Sequence, residues 1–166
     1  MKRFFAILRK KTLHFDEGRG IALRGSLEAR KILPDGTRQL LWVKDNLVVF
    51  VGVAQVALLW GDATGLPFTK GQIGSDNTAP ADGDTGCKTP LDEQTGAFSR
   101  ETTTITNDTA KLVSQHTAPG GGWSVKEYCA RTSGGTAFNR VIFTAIPLNE
   151  SEVLEFTYKN QVKRSA

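Results

Sequence analysis

The chain has 166 residues, 39% hydrophobic and 23% charged, enough for one domain with a single core and too apolar for extended disorder beyond the N-terminal stretch. Its net charge of +4 stems largely from Lys2, Arg3, Arg9, Lys10 and Lys11, so a basic terminal segment accounts for it better than a basic domain. Two cysteines, Cys87 and Cys129, without CxxC spacing, exclude a disulfide framework and leave a single bridge between them open.

Residues 1–25 read as a basic N-terminal arm and linker. Phe4, Phe5 and Leu8 stand against Arg9, Lys10 and Lys11, which suits a short amphipathic helix or an extended arm docking on an acidic protein surface. The apolar run is cut at Arg9, well short of a secretory core. Gly18, Gly20 and Gly25 among charges mark residues 14–25 as a connecting loop. From Ser26 onward Leu27 and Ala29 alternate with Glu28 and Arg30, Pro34-Asp35-Gly36-Thr37 turns the chain, and residues 39–43 return, predicting a β-hairpin.

Residues 47–60 open with the strand-like run Leu47-Val48-Val49-Phe50-Val51. Helical spacing instead sets Val49, Gly52, Val53, Val56 and Trp60 on one stripe ending at Gly61. The length favours a helix after a short strand, and it is too short to span a bilayer. Residues 63–98 are turn-rich, with a strand only at 68–73. Residues 100–105 and 110–117 predict an antiparallel pair across Thr106-Asn107-Asp108.

The densest strand signals lie in residues 123–158, which read as the scaffold. Trp123 and Val125 start a strand that shifts phase before Tyr128 and Ala130, Ser133-Gly134-Gly135 turns, residues 138–146 return, and Pro147 breaks the run. Leu154, Phe156 and Tyr158 then alternate with polar residues in a last strand. Arg140, a charge in mid-strand, is expected to be a structural ion-pair partner of Glu127 or Glu155 rather than solvent-facing.

Few motifs for chemistry stand out. Asp82-Gly83-Asp84 with Glu93 at the twelfth position mimics a calcium loop, but Gly86 and Cys87 occupy positions where a ligand and the turn glycine belong, so a solvated acidic turn is the reading. His14 and His116 lie near no nucleophile motif, there is no phosphate loop, and the carboxylates are scattered. A Ser-His-Asp site assembled from distant residues stays open. Basic residues are not interleaved with aromatics as single-strand binders require. The expectation is a soluble, non-enzymatic protein with no cofactor and no metal, binding neither nucleic acid nor membrane.

Several features recur in a fixed order. Lys44-Asp45-Asn46-Leu47-Val48-Val49 opens an apolar helix, and the loop from Gly74 closes on Pro80-Ala81-Asp82-Gly83-Asp84-Thr85. Leu91, Glu93 and Arg100 follow, then Glu127, Gly134-Gly135, Phe138-Asn139-Arg140, Phe143 and the alternating Leu154-Glu155-Phe156-Thr157-Tyr158. As a set this resembles small structural virion proteins, decoration or tail-associated, of tailed bacteriophages. Tyr128-Cys129 departs from the group's small residues after the Glu, and residues 1–25 lie outside its pattern.

The resemblance implies a mainly β chain, an antiparallel β-sandwich or jelly-roll-like domain over residues 26–166 with one apolar helix; the extended basic N-terminal arm is read from the residues themselves. The resemblance further implies many copies or a homo-oligomer on a virion, made in the host cytoplasm. The expected role is a capsid decoration (cement) protein bridging neighbouring capsid subunits, its partner the major capsid protein or other virion proteins. Phe4, Phe5, Leu8, Arg9, Lys10 and Lys11 are the expected partner-binding set. A tail-tip or fibre-base component is one alternative; a carbohydrate-binding adhesion module using Trp42, Trp60 or Trp123 is another.

Overall fold

The computed structural model describes residues 21–48, 50–61 and 65–164. It is mainly β: β1 (Ile21–Ile32), β2 (Arg38–Val48), helix α1 (Phe50–Gly61), β3 (Phe68–Gly74), β4 (Pro90–Thr95), β5 (Ala97–Glu101), β6 (Thr109–Thr117), β7 (Trp123–Thr132), β8 (Asn139–Leu148) and β9 (Val153–Arg164). Every pairing is antiparallel. Strands run β4-β3-β7-β8 in one sheet and β2-β1-β9-β6-β5 in the other, and two residue pairs, Leu47 with Arg140 and Val48 with Asn139, join them at one corner. At the opposite corner β4 passes into β5 across Gly96 alone, so one bent segment serves both sheets.

The alternation that predicts β9 sets its burial: Leu154, Phe156 and Tyr158 are fully buried. They meet Leu27 and Ala29 of β1 and Leu112 of β6 in their own sheet, and Ile73, Tyr128, Ala130 and Phe143 from the other. Aromatic rings tie the layers together, with centroids 4.6 Å apart for Tyr128 and Phe156, 4.8 Å for Trp42 and Phe143, and 5.2 Å for Phe68 and Tyr158. Ring pairs at such spacing add roughly 0.5–1.5 kcal/mol each beyond their burial. The phase shift expected in β7 is a bulge between Val125 and Glu127, which turns Tyr128 and Ala130 inward and Glu127 and Cys129 to the outer side.

Several boundaries differ from expectation for local reasons. Residues 21–25, read as loop, belong to β1 because β9 extends to Arg164 and pairs with them from Ile21 onward. Leu47 and Val48 end β2, claimed by their pairing with β8, and the helix starts at Phe50. Its Gly52, Val53 and Val56 turn to the core; Val49 lies outside the described residues. A Cβ on Gly52 would sit 2.2 Å from the Phe138 carbonyl oxygen, so the helix docks through backbone contact that only glycine permits.

Strand β4 lies within the stretch expected to be loop. The strand expected at residues 100–105 ends at Glu101, because the Asp108 carboxylate accepts the backbone N–H groups of Thr103, Thr104 and Ile105 and folds that stretch into a turn. Strand β8 runs through Pro147, which is tolerated where the strand has a neighbour on one side only. Among the described residues no helix is long and apolar enough to cross a membrane.

Candidate functional site

The outer face of β3-β7-β8 is roofed by the loop of residues 75–89, and the polar chemistry of the molecule concentrates beneath it. Arg140 of β8 is fully buried there. Its Nε donates to Glu127 Oε2 at 2.7 Å, its Nη1 to Asp84 Oδ2 and the Thr78 carbonyl at 3.1 Å each, and its Nη2 to Asp76 Oδ1 at 3.0 Å. Glu127, equally buried, also accepts the backbone N–H groups of Asp76, Lys88 and Thr89 at 3.0–3.3 Å. One strand pair thus holds both ends of the loop and its middle.

Three carboxylates around one guanidinium form a strongly anionic surround. Burial works against the charge on Arg140, but the bonds from Glu127 and Asp84 more than offset it and raise its pKa. Two hydrogen bonds from Thr78, with Arg140 beside them, lower the Asp76 pKa. All three nitrogen atoms of the guanidinium are engaged, so the cluster ties the loop down.

The same loop carries Cys87, whose N–H donates to Gln72 Oε1 at 2.9 Å and whose thiol donates to the Gln72 carbonyl at 3.3 Å. Its Sγ lies 3.1 Å from Cys129 Sγ on β7; both thiols are free and buried. Cys87 borders an open cavity of about 420 Å³ lined also by Asp84, Lys88 and Arg131. Two of the three carboxylates of the calcium-loop look-alike are otherwise employed, Asp84 on Arg140 and Glu93 on Lys70 and Arg131. Among the described residues no group of three or more His, Cys, Asp or Glu is arranged to hold a metal ion.

A second cluster lies between the sheets. His116 Nδ1 is 2.8 Å from Asp92 Oδ2, and its Nε2 is 3.2 Å from Ser114 Oγ, the connectivity of a Ser-His-Asp triad. Strand β6 points residues 114 and 116 to the same face, and the edge strand β4 supplies the acid. Access is missing: Ser114 is 1% and His116 0% exposed, and the backbone of β3 covers the hydroxyl so closely that a Cβ on Gly71 would lie 2.1 Å from it. No space for a scissile bond adjoins the oxygen, so these three residues act as an internal polar tie.

The outer face of the larger sheet is a lattice of charges. Arg38 and Gln115 meet Glu155, Lys111 and Lys159 share Glu101, and Arg30 pairs with Glu28. Leu40 and Val43 of β2, opposite Arg30 and Glu28, and Phe98 of β5 are exposed large apolar side chains as well. Leu58 and Leu59 on α1, Leu66 before β3, Ile105 in the β5–β6 turn and Val162 on β9 are each more than a third exposed. Strand polarity brings all five to one end, where β2 and β9 finish and β1 begins.

Of the two expected partners Arg140 pairs with Glu127, while Glu155 pairs with Arg38, and Asp76 and Asp84 join Arg140 from the loop. Trp42 and Trp123 pack partly buried against the core rather than standing as a platform. The expected partner-binding residues Phe4, Phe5, Leu8, Arg9, Lys10 and Lys11 lie outside the described residues. Searches of protein-family models, curated proteins and solved structures find no match to this chain.

Proposed function

We propose that this protein is a non-enzymatic structural protein of a bacteriophage particle, a capsid decoration protein that docks in many copies on neighbouring capsid subunits. The observation that carries the docking role is the gathering of Leu58, Leu59, Leu66, Ile105 and Val162 at the end where β1 begins. Scattered exposed apolar side chains such as Leu40, Val43 and Phe98 need no explanation, but five of the eight large ones exposed among the described residues lie at one end of the sandwich, which favours a protein-binding surface there. The ordered motifs set out above point to the virion as the setting. Ile21, the first described residue, lies at this same end, and in this reading Phe4, Phe5 and Leu8 of the arm are further anchors, with Arg9, Lys10 and Lys11 facing acidic partners.

The physical logic is linkage: a protein that binds the assembled lattice and not its dissociated subunits stabilises the lattice. The test is occupancy on purified particles. Deleting residues 1–13, or changing Leu59→Lys together with Ile105→Lys, leaves a domain with unchanged thermal unfolding that no longer decorates particles. Full occupancy by both variants sinks the proposal. The number of labelled copies per particle separates a head lattice from a tail tip.

A further inference from the structure

We propose that Cys87 and Cys129 are a latent disulfide site, which closes in an oxidising medium and locks the 75–89 loop onto β7. The pair joins positions far apart in the chain, the two sulfur atoms touch at 3.1 Å, and no other side chain separates them. An approach of about 1 Å brings them to bonding distance. Both backbones are already held: Cys87 by its N–H bond to Gln72 Oε1, and Cys129 by the β3–β7 ladder, where it pairs with Gln72 as well.

Buried cysteines are commonly inert packing, and Cys129, fully buried, would fit that description alone. What separates this pair is its place on a seam between loop and sheet, with one member at the border of a cavity. Cys87 is 9% exposed there, and the neighbouring Lys88 and Arg131 favour a small anionic disulfide such as oxidised glutathione. Its thiolate attacks one sulfur of that oxidant and releases one glutathione thiolate, leaving a mixed disulfide on Cys87. The Cys129 thiolate then attacks the Cys87 sulfur and expels the second glutathione. The protein loses two protons and two electrons, and the oxidant gains them as two thiols.

Burial, then Cys129 and Glu127, push the Cys87 thiol above its ordinary range, with Arg140 opposing them. Asp84, Lys88 and Arg131 are the other charged groups facing this thiol from the cavity. Closure is accordingly slow at neutral pH and faster in mild alkali.

The test uses the full chain, purified reduced and then incubated with oxidised glutathione under native conditions. The expected product is a monomer lighter by two hydrogens, with no titratable thiol and a proteolytic fragment joining Cys87 to Cys129. Its thermal midpoint rises by roughly 10 °C, an increase lost on reduction and absent from Cys87→Ser and Cys129→Ser. Cleavage within residues 75–89 slows several-fold on oxidation. Two thiols still free after the unfolded chain has oxidised under the same conditions overturn the proposal. So does a stable glutathione adduct, or a disulfide-linked dimer as the main product. These readouts come from the wild-type chain and do not depend on the serine variants folding, nor on the docking role.

Discussion

Arg140 holds its place by geometry as much as by charge. Three nitrogen atoms point at three different carboxylates, a division of labour that a planar guanidinium allows and an ammonium does not. Arg140→Met leaves Glu127 buried without its cation and is expected to cost about 3–5 kcal/mol, measured by urea unfolding. Cleavage by added protease should then appear in residues 75–89 before the core opens. Arg140→Lys keeps the charge and restores only a small part of the loss; a lysine variant as stable as the wild type would show that charge alone suffices. The Arg140–Glu127 half of this cluster was legible as one of two choices, Glu127 or Glu155, because Arg140 follows Phe138-Asn139 and precedes the apolar run Val141-Ile142-Phe143. Asp76 and Asp84 were not, since they reach Arg140 from 64 and 56 residues away through a loop with no periodicity to read.

Elements whose burial follows a simple period were the readable ones. Strand β9 alternates cleanly, the β1–β2 hairpin turns at its Pro-Asp-Gly, and the bulge in β7 is written as a change of phase. Strand β4 was hidden because Pro90-Leu91-Asp92-Glu93-Gln94-Thr95 lacks β-branched residues until its end. Tertiary partners hold its acids, Asp92 on His116 and Glu93 on Lys70 and Arg131. The triple-threonine run misled in the opposite direction: its β propensity is overridden by one carboxylate, that of Asp108. Helix α1 offers a test in which two local effects oppose each other. Gly52→Ala should favour the helix by about 1 kcal/mol on propensity alone. The new methyl group, however, meets the Phe138 carbonyl oxygen at 2.2 Å, so the expected net effect is a loss of about 1–3 kcal/mol. A raised thermal midpoint for this variant would mean that α1 does not rest on the start of β8.

Taken together, the titrating groups make the molecule sensitive to acid and indifferent to mild base. Burial lowers the His116 pKa below its ordinary 6.5, the Asp92 carboxylate only partly opposing it. The unfolded chain therefore binds a proton first, and stability that is complete above about pH 7 falls as the pH drops through 6.5 toward the folded value. For one proton the slope approaches about 1.4 kcal/mol per pH unit. Glu93, held low against its burial by Lys70 and Arg131, and Glu101, held low by Lys111 and Lys159, contribute stability that disappears below their ordinary 4.5. Denaturant unfolding from pH 8 to 4 should show a plateau, a shallow decline and then a steep one. His116→Gln should remove the shallow part, and a wild-type chain equally stable at pH 7 and 5.5 would contradict the account.

The pairing of Ile21 with Arg164 sets the start of β1 beside the end of β9, while the exposed Pro34–Thr37 turn lies at the far end of the same sheet. For anyone wishing to hang a cargo on this scaffold, the two places are not equivalent. A peptide spliced between Asp35 and Gly36 projects away from the apolar end, and the left-handed Gly36 gives the splice a ready bend. A fusion beyond Arg164 crowds the surface proposed for docking, so a cargo is better hung on the Pro34–Thr37 turn than on the end of β9.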